Sequence, residues 1–194
     1  MKLIIAVMLV ASMVGYAGEL TSPKIGDNAP EFKLKNYDGK EYELAKVTKE
    51  NKYTVVMFIS TECPVSNSYN ERMVKLYDSY NAKGVAILAV NANKAEDVKT
   101  IASHSKTHGF KFPVLKDEKN KIADLYGAQV TPETYIIDAK GKILYHGRID
   151  DNRKGDNIQS KDLANALDML LDGKPVAIAE TKAMGCTIKR LGTD

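Results

Sequence analysis

Hydrophobic and polar positions along this chain follow two alternating rhythms. Phe32 and Leu34, then Tyr42 and Leu44 beyond Asp38-Gly39, alternate with polar residues, which predicts a β-hairpin. Tyr53-Thr54-Val55-Val56-Met57-Phe58-Ile59 is a near-continuous apolar, β-branched run, the pattern of a strand covered on both faces. From Pro64 to Asn81 the apolar positions Val65, Tyr69, Met73, Leu76 and Tyr80 fall at helical spacing, and Gly84 ends that stretch. Val85 to Val90 is a second buried strand, after which Asn93 is expected to cap a helix carrying Val98, Ile101 and Ala102. Ile122, Ala123 and Tyr126 predict a short helix closed by Gly127. Thr134 to Asp138 and Lys142 to His146 predict two strands joined by a turn at Gly141. A last helix, opened by Ser160 and closed by Gly173 and Pro175, turns Leu163, Leu167 and Leu170 inward. This order predicts an α/β sandwich around one central mixed β-sheet.

The first residues follow a different logic. Lys2 precedes an apolar run, Leu3 to Val14, and then Gly15-Tyr16-Ala17, with small residues at −3 and −1 of a cut after Ala17. That is the pattern of a secretory signal peptide over residues 1–17, and the run falls short of the ~20 residues that span a bilayer. The expected organisation is therefore a signal peptide (1–17), one domain (18–175) and a C-terminal tail (176–194). The mature chain is expected to be periplasmic or secreted, with no membrane attachment after cleavage.

Composition narrows the chemistry. The 28 basic and 25 acidic residues leave a net charge of +3, which gives no reason to expect a nucleic-acid partner. Two cysteines are too few for a disulfide scaffold or a four-cysteine zinc site, but suffice for thiol chemistry in an oxidising compartment. His104 and His108 have i,i+4 spacing, yet two histidines alone more often mark a polar surface. No metal and no cofactor are expected, and no phosphate-cradling glycine loop is present.

Candidate chemistry gathers at Ser60-Thr61-Glu62-Cys63-Pro64-Val65-Ser66, between a buried strand and a helix. Proline is favoured at the first helical position, so Cys63 falls at the N-cap, where free backbone N–H groups favour a reactive thiolate. The competing reading is an inert buried cysteine. Thr131-Pro132 precedes a strand that, if antiparallel to the two buried ones, starts at the same sheet edge. A cis proline there would leave the Thr131 backbone open to an extended thiol substrate. The next strand returns to that edge at Arg148, which would help to hold a thiolate ionised. Alternatively Arg148 belongs to a solvated polar loop with Asp150, Asp151, Arg153, Lys154 and Asp156.

At these residues the chain resembles the thioredoxin-fold superfamily, and within it the peroxiredoxin-like (alkyl hydroperoxide reductase/thiol-specific antioxidant) branch. The likeness runs through Gly26-Asp27-Asn28-Ala29-Pro30-Glu31-Phe32, the Asp38-Gly39 hairpin, Phe58 to Ser66 and Phe112 to Asp117. It continues through Tyr126-Gly127-Ala128, Thr131 to Asp138 and Gly141. It implies a thioredoxin-like sandwich, with helices on both faces of the mixed sheet and an N-terminal β-hairpin. It also implies a thiol oxidoreductase with Cys63 as nucleophile and Thr131-Pro132 as the cis-proline loop. The implied partners are a thiol/disulfide protein or a peroxide as substrate, and a thiol reductant.

Two departures are plain. Thioredoxins place a second cysteine three residues after the first, where this chain has Ser66. Peroxiredoxins place proline seven residues and threonine or serine three residues before the attacking cysteine, where this chain has Val56 and Ser60, so only half of that pattern is met. Gly185-Cys186-Thr187-Ile188-Lys189 resembles the ending of some peroxiredoxin-like bacterial proteins. From Gly173 an extended chain reaches at most ~45 Å by Cys186, far enough to approach Cys63. Cys186 is then either a resolving thiol or half of a permanent structural disulfide in a non-catalytic binding module.

Overall fold

The computed structural model describes residues 22–192, and the targeting segment expected over 1–17 lies outside the described residues. The chain runs through β1 (Lys33–Asn36), β2 (Glu41–Glu43), α1 (Leu44–Glu50), β3 (Tyr53–Ile59), α2 (Pro64–Asn67) and α3 (Asn70–Tyr80). It continues through β4 (Val85–Asn91), α4 (Val98–Thr107), β5 (Val114–Lys116), α5 (Lys121–Tyr126), β6 (Val130–Thr131) and β7 (Glu133–Asp138). It closes with β8 (Ile143–Gly147), α6 (Asp162–Leu171) and β9 (Cys186–Thr187).

Seven strands form one mixed sheet in the order β2-β1-β5-β4-β3-β7-β8. The apolar runs read from the sequence occupy its centre: β3 pairs parallel with β4 over seven residues and antiparallel with β7. Side chains alternate across the sheet because successive residues of a strand point to opposite faces. Val55, Met57 and Ile59 pack with Met73 and Leu76 of α3, Ile101 of α4 and Leu163, Leu167 and Leu170 of α6. Val56 and Phe58 pack on the other face with Leu44 of α1 and Ile122, Ala123 and Tyr126 of α5. Complete burial of one such side chain contributes ~1.5–3 kcal/mol, so these two layers hold the central strands in place. The result is the expected thioredoxin-like sandwich, with helices on both faces and a leading hairpin (β1–β2).

Three local expectations need correction. The single helix expected from Pro64 to Asn81 is two, α2 and α3. At the break Tyr69 N–H bonds to Ser66 O, one residue short of an α-helical step, and the Ser68 hydroxyl lies 2.7 Å from both Val65 O and Arg153 O. A serine that bonds back to its own helix bends it. The cap of α4 is Asp97, whose carboxylate accepts Thr100 N–H at 2.7 Å, not Asn93. Asn93 is buried and bonded elsewhere, as described below. The polar loop after β8 is not uniformly solvated: Asp150 is 3% exposed and held by Arg72 at 2.5 and 2.7 Å. A carboxylate at such depth requires a cation partner.

The tail returns across the molecule. His146 N–H bonds to Ala179 O, and Thr181 N–H bonds to His146 O. The Thr181 hydroxyl meets Tyr145 OH at 2.8 Å and accepts Arg148 N–H at 3.0 Å. Farther on, β9 pairs antiparallel with β6 and Ile188 is buried against the Leu44 and Tyr126 layer. No helix among the described residues is long and apolar enough to cross a membrane.

Candidate active site

β3 ends at Ile59 and delivers Ser60 to Cys63 to the carboxyl edge of the sheet, where α/β folds place their sites. Pro64 begins α2, so Cys63 is its N-cap, with extended backbone at φ −77° and ψ 115°. Its sulfur accepts Ser66 N–H at 3.3 Å and lies 3.5 Å from Thr131 O. The Thr131-Pro132 peptide bond is cis. β7 is antiparallel to β3, with Glu133 opposite Phe58, which brings Thr131 beside Cys63.

Cys63 is disulfide-bonded to Cys186, with Cα atoms 5.9 Å apart across 123 residues of sequence. Cys186 stands opposite Thr131 in the β6–β9 pair, and Thr187 stands opposite Val130. Gly185 makes this approach possible. A Cβ on it would run into the carbonyl group and nitrogen of Thr131, so no side chain fits there. Cys63 is 4% exposed, and a cleft of about 130 Å³ opens beside the sulfurs, with Ser60, Pro64, Glu96 and Lys189 among its walls.

A buried carboxylate organises the loop that carries Cys63. Glu96 Oε1 accepts the Ser60 hydroxyl at 2.5 Å and Asn93 Nδ2 at 2.9 Å. Its Oε2 accepts Thr61 N–H at 2.6 Å, Thr61 Oγ1 at 2.7 Å and Asn91 Nδ2 at 2.5 Å. Ser60 Oγ in turn accepts the N–H groups of Glu62 and Cys63, and Ser66 Oγ accepts Ser60 N–H. Burial pushes the Glu96 carboxyl upward, but the bonds from Ser60, Thr61 and Asn91 outweigh it and hold the group below the usual carboxylate range. A fixed anion therefore orients the loop. Asn93 extends the network to the tail, since its Oδ1 accepts Lys189 N–H at 2.8 Å.

The structure thus brings together Ser60, Thr61, Cys63, Ser66, Thr131, Pro132 and Cys186. Arg148 is turned to α6, where its Nε bonds Asp162 at 2.7 Å. Asp162 is 7% exposed and needs that cation more than the open edge does. The sequence pattern gave no role in the site to Glu96, Asn91, Asn93 or Gly185. The available signal was three polar residues, Asn91, Asn93 and Glu96, directly after a buried strand that ends at the same edge as Cys63.

Comparison with known proteins agrees with this geometry. The AhpC/TSA family model matches residues 25–146. The thiol-disulfide oxidoreductase ResA of Halalkalibacterium halodurans is 33% identical over 121 residues, which is 62% of this chain and 66% of that protein, just under two thirds of its length. The crystal structure of an uncharacterized conserved protein from Geobacillus kaustophilus superposes with a TM-score of 0.82 at 34% identity, over 88% of this chain and 94% of that one. The thioredoxin domain of a thiol-disulfide oxidoreductase from Bacteroides vulgatus shares the fold, with a TM-score of 0.62 at 18% identity over 77% of this chain and 99% of that one. With more than half of its length matched by one family model, the chain belongs to the AhpC/TSA family.

Proposed function

We propose that this chain is an exported thiol–disulfide oxidoreductase in which Cys63 is the nucleophile and Cys186 the resolving thiol. Residues 18–175 form its catalytic domain and 176–194 a tail that delivers the second thiol. The observation that carries this reading is the Cys63–Cys186 bond, with the Cys63 sulfur already accepting Ser66 N–H. A donor aimed at the sulfur favours the ionised form, and the thiolate is the reactive species. Ser66 removes the local dithiol, and Cys186 replaces it from the other end of the chain.

The reduced pair reacts in two exchanges. The Cys63 thiolate attacks one sulfur of a substrate disulfide, that S–S bond breaks, and the other substrate sulfur leaves and takes a proton from solvent. Cys186, after losing its proton, attacks the Cys63 sulfur of the mixed disulfide. The Cys63–Cys186 bond forms, the remaining substrate sulfur leaves, and two electrons have passed to the substrate. A donor dithiol returns them. Export is supported by the pattern of residues 1–17 and by a cysteine pair suited to an oxidising compartment. ResA, the similar protein, carries the name thiol-disulfide oxidoreductase. A hydroperoxide would instead oxidise Cys63 to the sulfenic acid, which Cys186 would resolve with release of water.

A second reading is favoured by one observation, the near-complete burial of Cys63: the bond is a fixed staple in a binding module. Substitution separates the two. Under the catalytic reading Cys63→Ser abolishes disulfide reduction, and Cys186→Ser accumulates a mixed disulfide on Cys63 that intact-mass measurement without reductant reveals. A bond that stays closed in mild reductant, with partner binding intact in Cys63→Ser, supports the staple. Peroxide consumption by the reduced protein tests the peroxidase branch.

A further inference from the structure

Thr131 is where an extended chain would pair beside the Cys63 sulfur, and the protein's own tail already fills that position. Contacts on both sides of the disulfide hold it there. Upstream of Cys186, Thr181 is bonded through its backbone to His146 and through its hydroxyl to Tyr145 and Arg148. Downstream, Ile188 N–H bonds to Gln129 O, and the Ile188 side chain is 3% exposed within the apolar layer. Lys189 is bonded on both sides, to Asn93 Oδ1 and to Lys94 N–H. Arg190 bonds Asp124 and Ala128 O, and Leu191 N–H bonds Asn120. None of these contacts runs through the S–S bond.

Cys63 is buried, and Cys186, partly buried, stands with it at the wall of a cleft of about 130 Å³. At ~30 Å³ per water it holds only a few non-hydrogen atoms, far below the ~300–1,000 Å³ of pockets that enclose a drug-sized ligand. The larger cleft of about 570 Å³ lies between Glu133, His146 and tail residues Glu180 to Ala183, and neither cysteine lines it.

We propose that the docked tail restricts the substrates of this site to low-molecular-weight thiols and disulfides and excludes protein chains. This rests on the thiol-exchange reading above. A small dithiol inserts one thiolate into the cleft and attacks the Cys63–Cys186 bond. A mixed disulfide forms on one cysteine while the other leaves as thiolate. The second thiol of the same molecule then displaces the remaining cysteine and departs as the oxidised disulfide, having supplied two electrons. Oxidation by a small disulfide is the reverse.

The test compares the reduced full chain reacting with 2-hydroxyethyl disulfide and with insulin, each rate normalised to that of free dithiothreitol. The expected preference for the small disulfide is about 100-fold. Loosening the tail with Ile188→Ala and Arg190→Ala together is expected to raise the insulin rate about tenfold or more and to move the small-disulfide rate by less than about threefold. Because that variant can lose folding stability, hydrogen exchange on the reduced wild-type chain gives an independent reading. The amides of Thr181, Ile188 and Lys189 are expected to stay protected within about tenfold of the oxidised state. Equal normalised rates for insulin and the small disulfide, or collapse of that protection on reduction, overturn the proposal. Failure to react with either disulfide contradicts the thiol-exchange reading, and the exchange data then decide tail docking alone.

Discussion

Cys186 faces Thr131 across a two-residue antiparallel pair, and the sulfur of Cys186 is bonded to Cys63 while Thr131 O lies 3.5 Å from the Cys63 sulfur. Three residues remote in sequence therefore meet at one point, and Gly185 sets how closely the tail approaches. In Gly185→Ala the added methyl meets Thr131 backbone, which cannot swing aside as a flexible side chain would. The oxidised protein is expected to lose ~1–3 kcal/mol, typical of an overpacked contact. Disulfide closure is also expected to slow. Urea unfolding and timed alkylation after oxidant addition measure the two effects.

The bond closes a loop of 123 residues. In the chain-entropy model such a loop restricts the unfolded state by ~5 kcal/mol. Cys186→Ser should approach that loss relative to the oxidised protein and should match the reduced wild type closely. A loss in Cys186→Ser well beyond that of reduction would show that the cysteine also contributes packing.

The Glu96 carboxylate accepts five hydrogen bonds and donates none. Glutamine presents an NH2 group where only acceptors are tolerated, so Glu96→Gln leaves buried donors facing a donor. The expected cost is ~2–3 kcal/mol. Because Ser60 and Thr61 then lose their anchor, the loop that carries Cys63 is expected to loosen, with faster hydrogen exchange at the Thr61 and Cys63 amides than in wild type. Hydrogen exchange reports the loop, and urea unfolding reports the stability.

Glu96 and Glu133 share a sign of pH dependence. Glu133 is buried, which pushes its carboxyl up, but the His146 ring and the N–H groups of Gln129 and Val130 outweigh this and hold it low. A carboxyl lower in the folded than in the unfolded chain adds stability that is complete above the ordinary value of 4.5 and is lost as pH falls through the lower folded value. Wild type should therefore lose stability from about pH 5 downward. Glu96→Gln should show a shallower acid limb, which thermal unfolding between about pH 3 and pH 7 measures.

The central architecture was legible because β3 and β4 are buried on both faces and carry unbroken apolar runs, and because Pro64 after Cys63 marks a helix start. The beginning of the site was legible for the same reason: the strand end fixes Cys63, and the antiparallel return of β7 fixes Thr131. What the sequence concealed depends on long-range partners. Asn93 reads as a helix cap until Glu96 and Lys189 are seen to occupy both ends of its amide. Arg148 lies at the expected edge, but buried Asp162, fourteen residues later, takes its charge. Two-residue strands such as β6 and β9 carry no periodicity at all and exist only because the tail crosses Thr131.

The most direct test of the account is the reduction potential of the Cys63–Cys186 pair, measured by equilibrating the protein in dithiothreitol buffers of graded poise and counting free thiols after an acid quench. Under the proposed function the Ser66 N–H, which points at the Cys63 sulfur, favours the thiolate and with it the reduced form, so the potential is predicted to lie above about −300 mV, where exchange with cellular thiols is reversible. A bond that remains closed below about −300 mV behaves as a structural disulfide and contradicts a redox role for the pair.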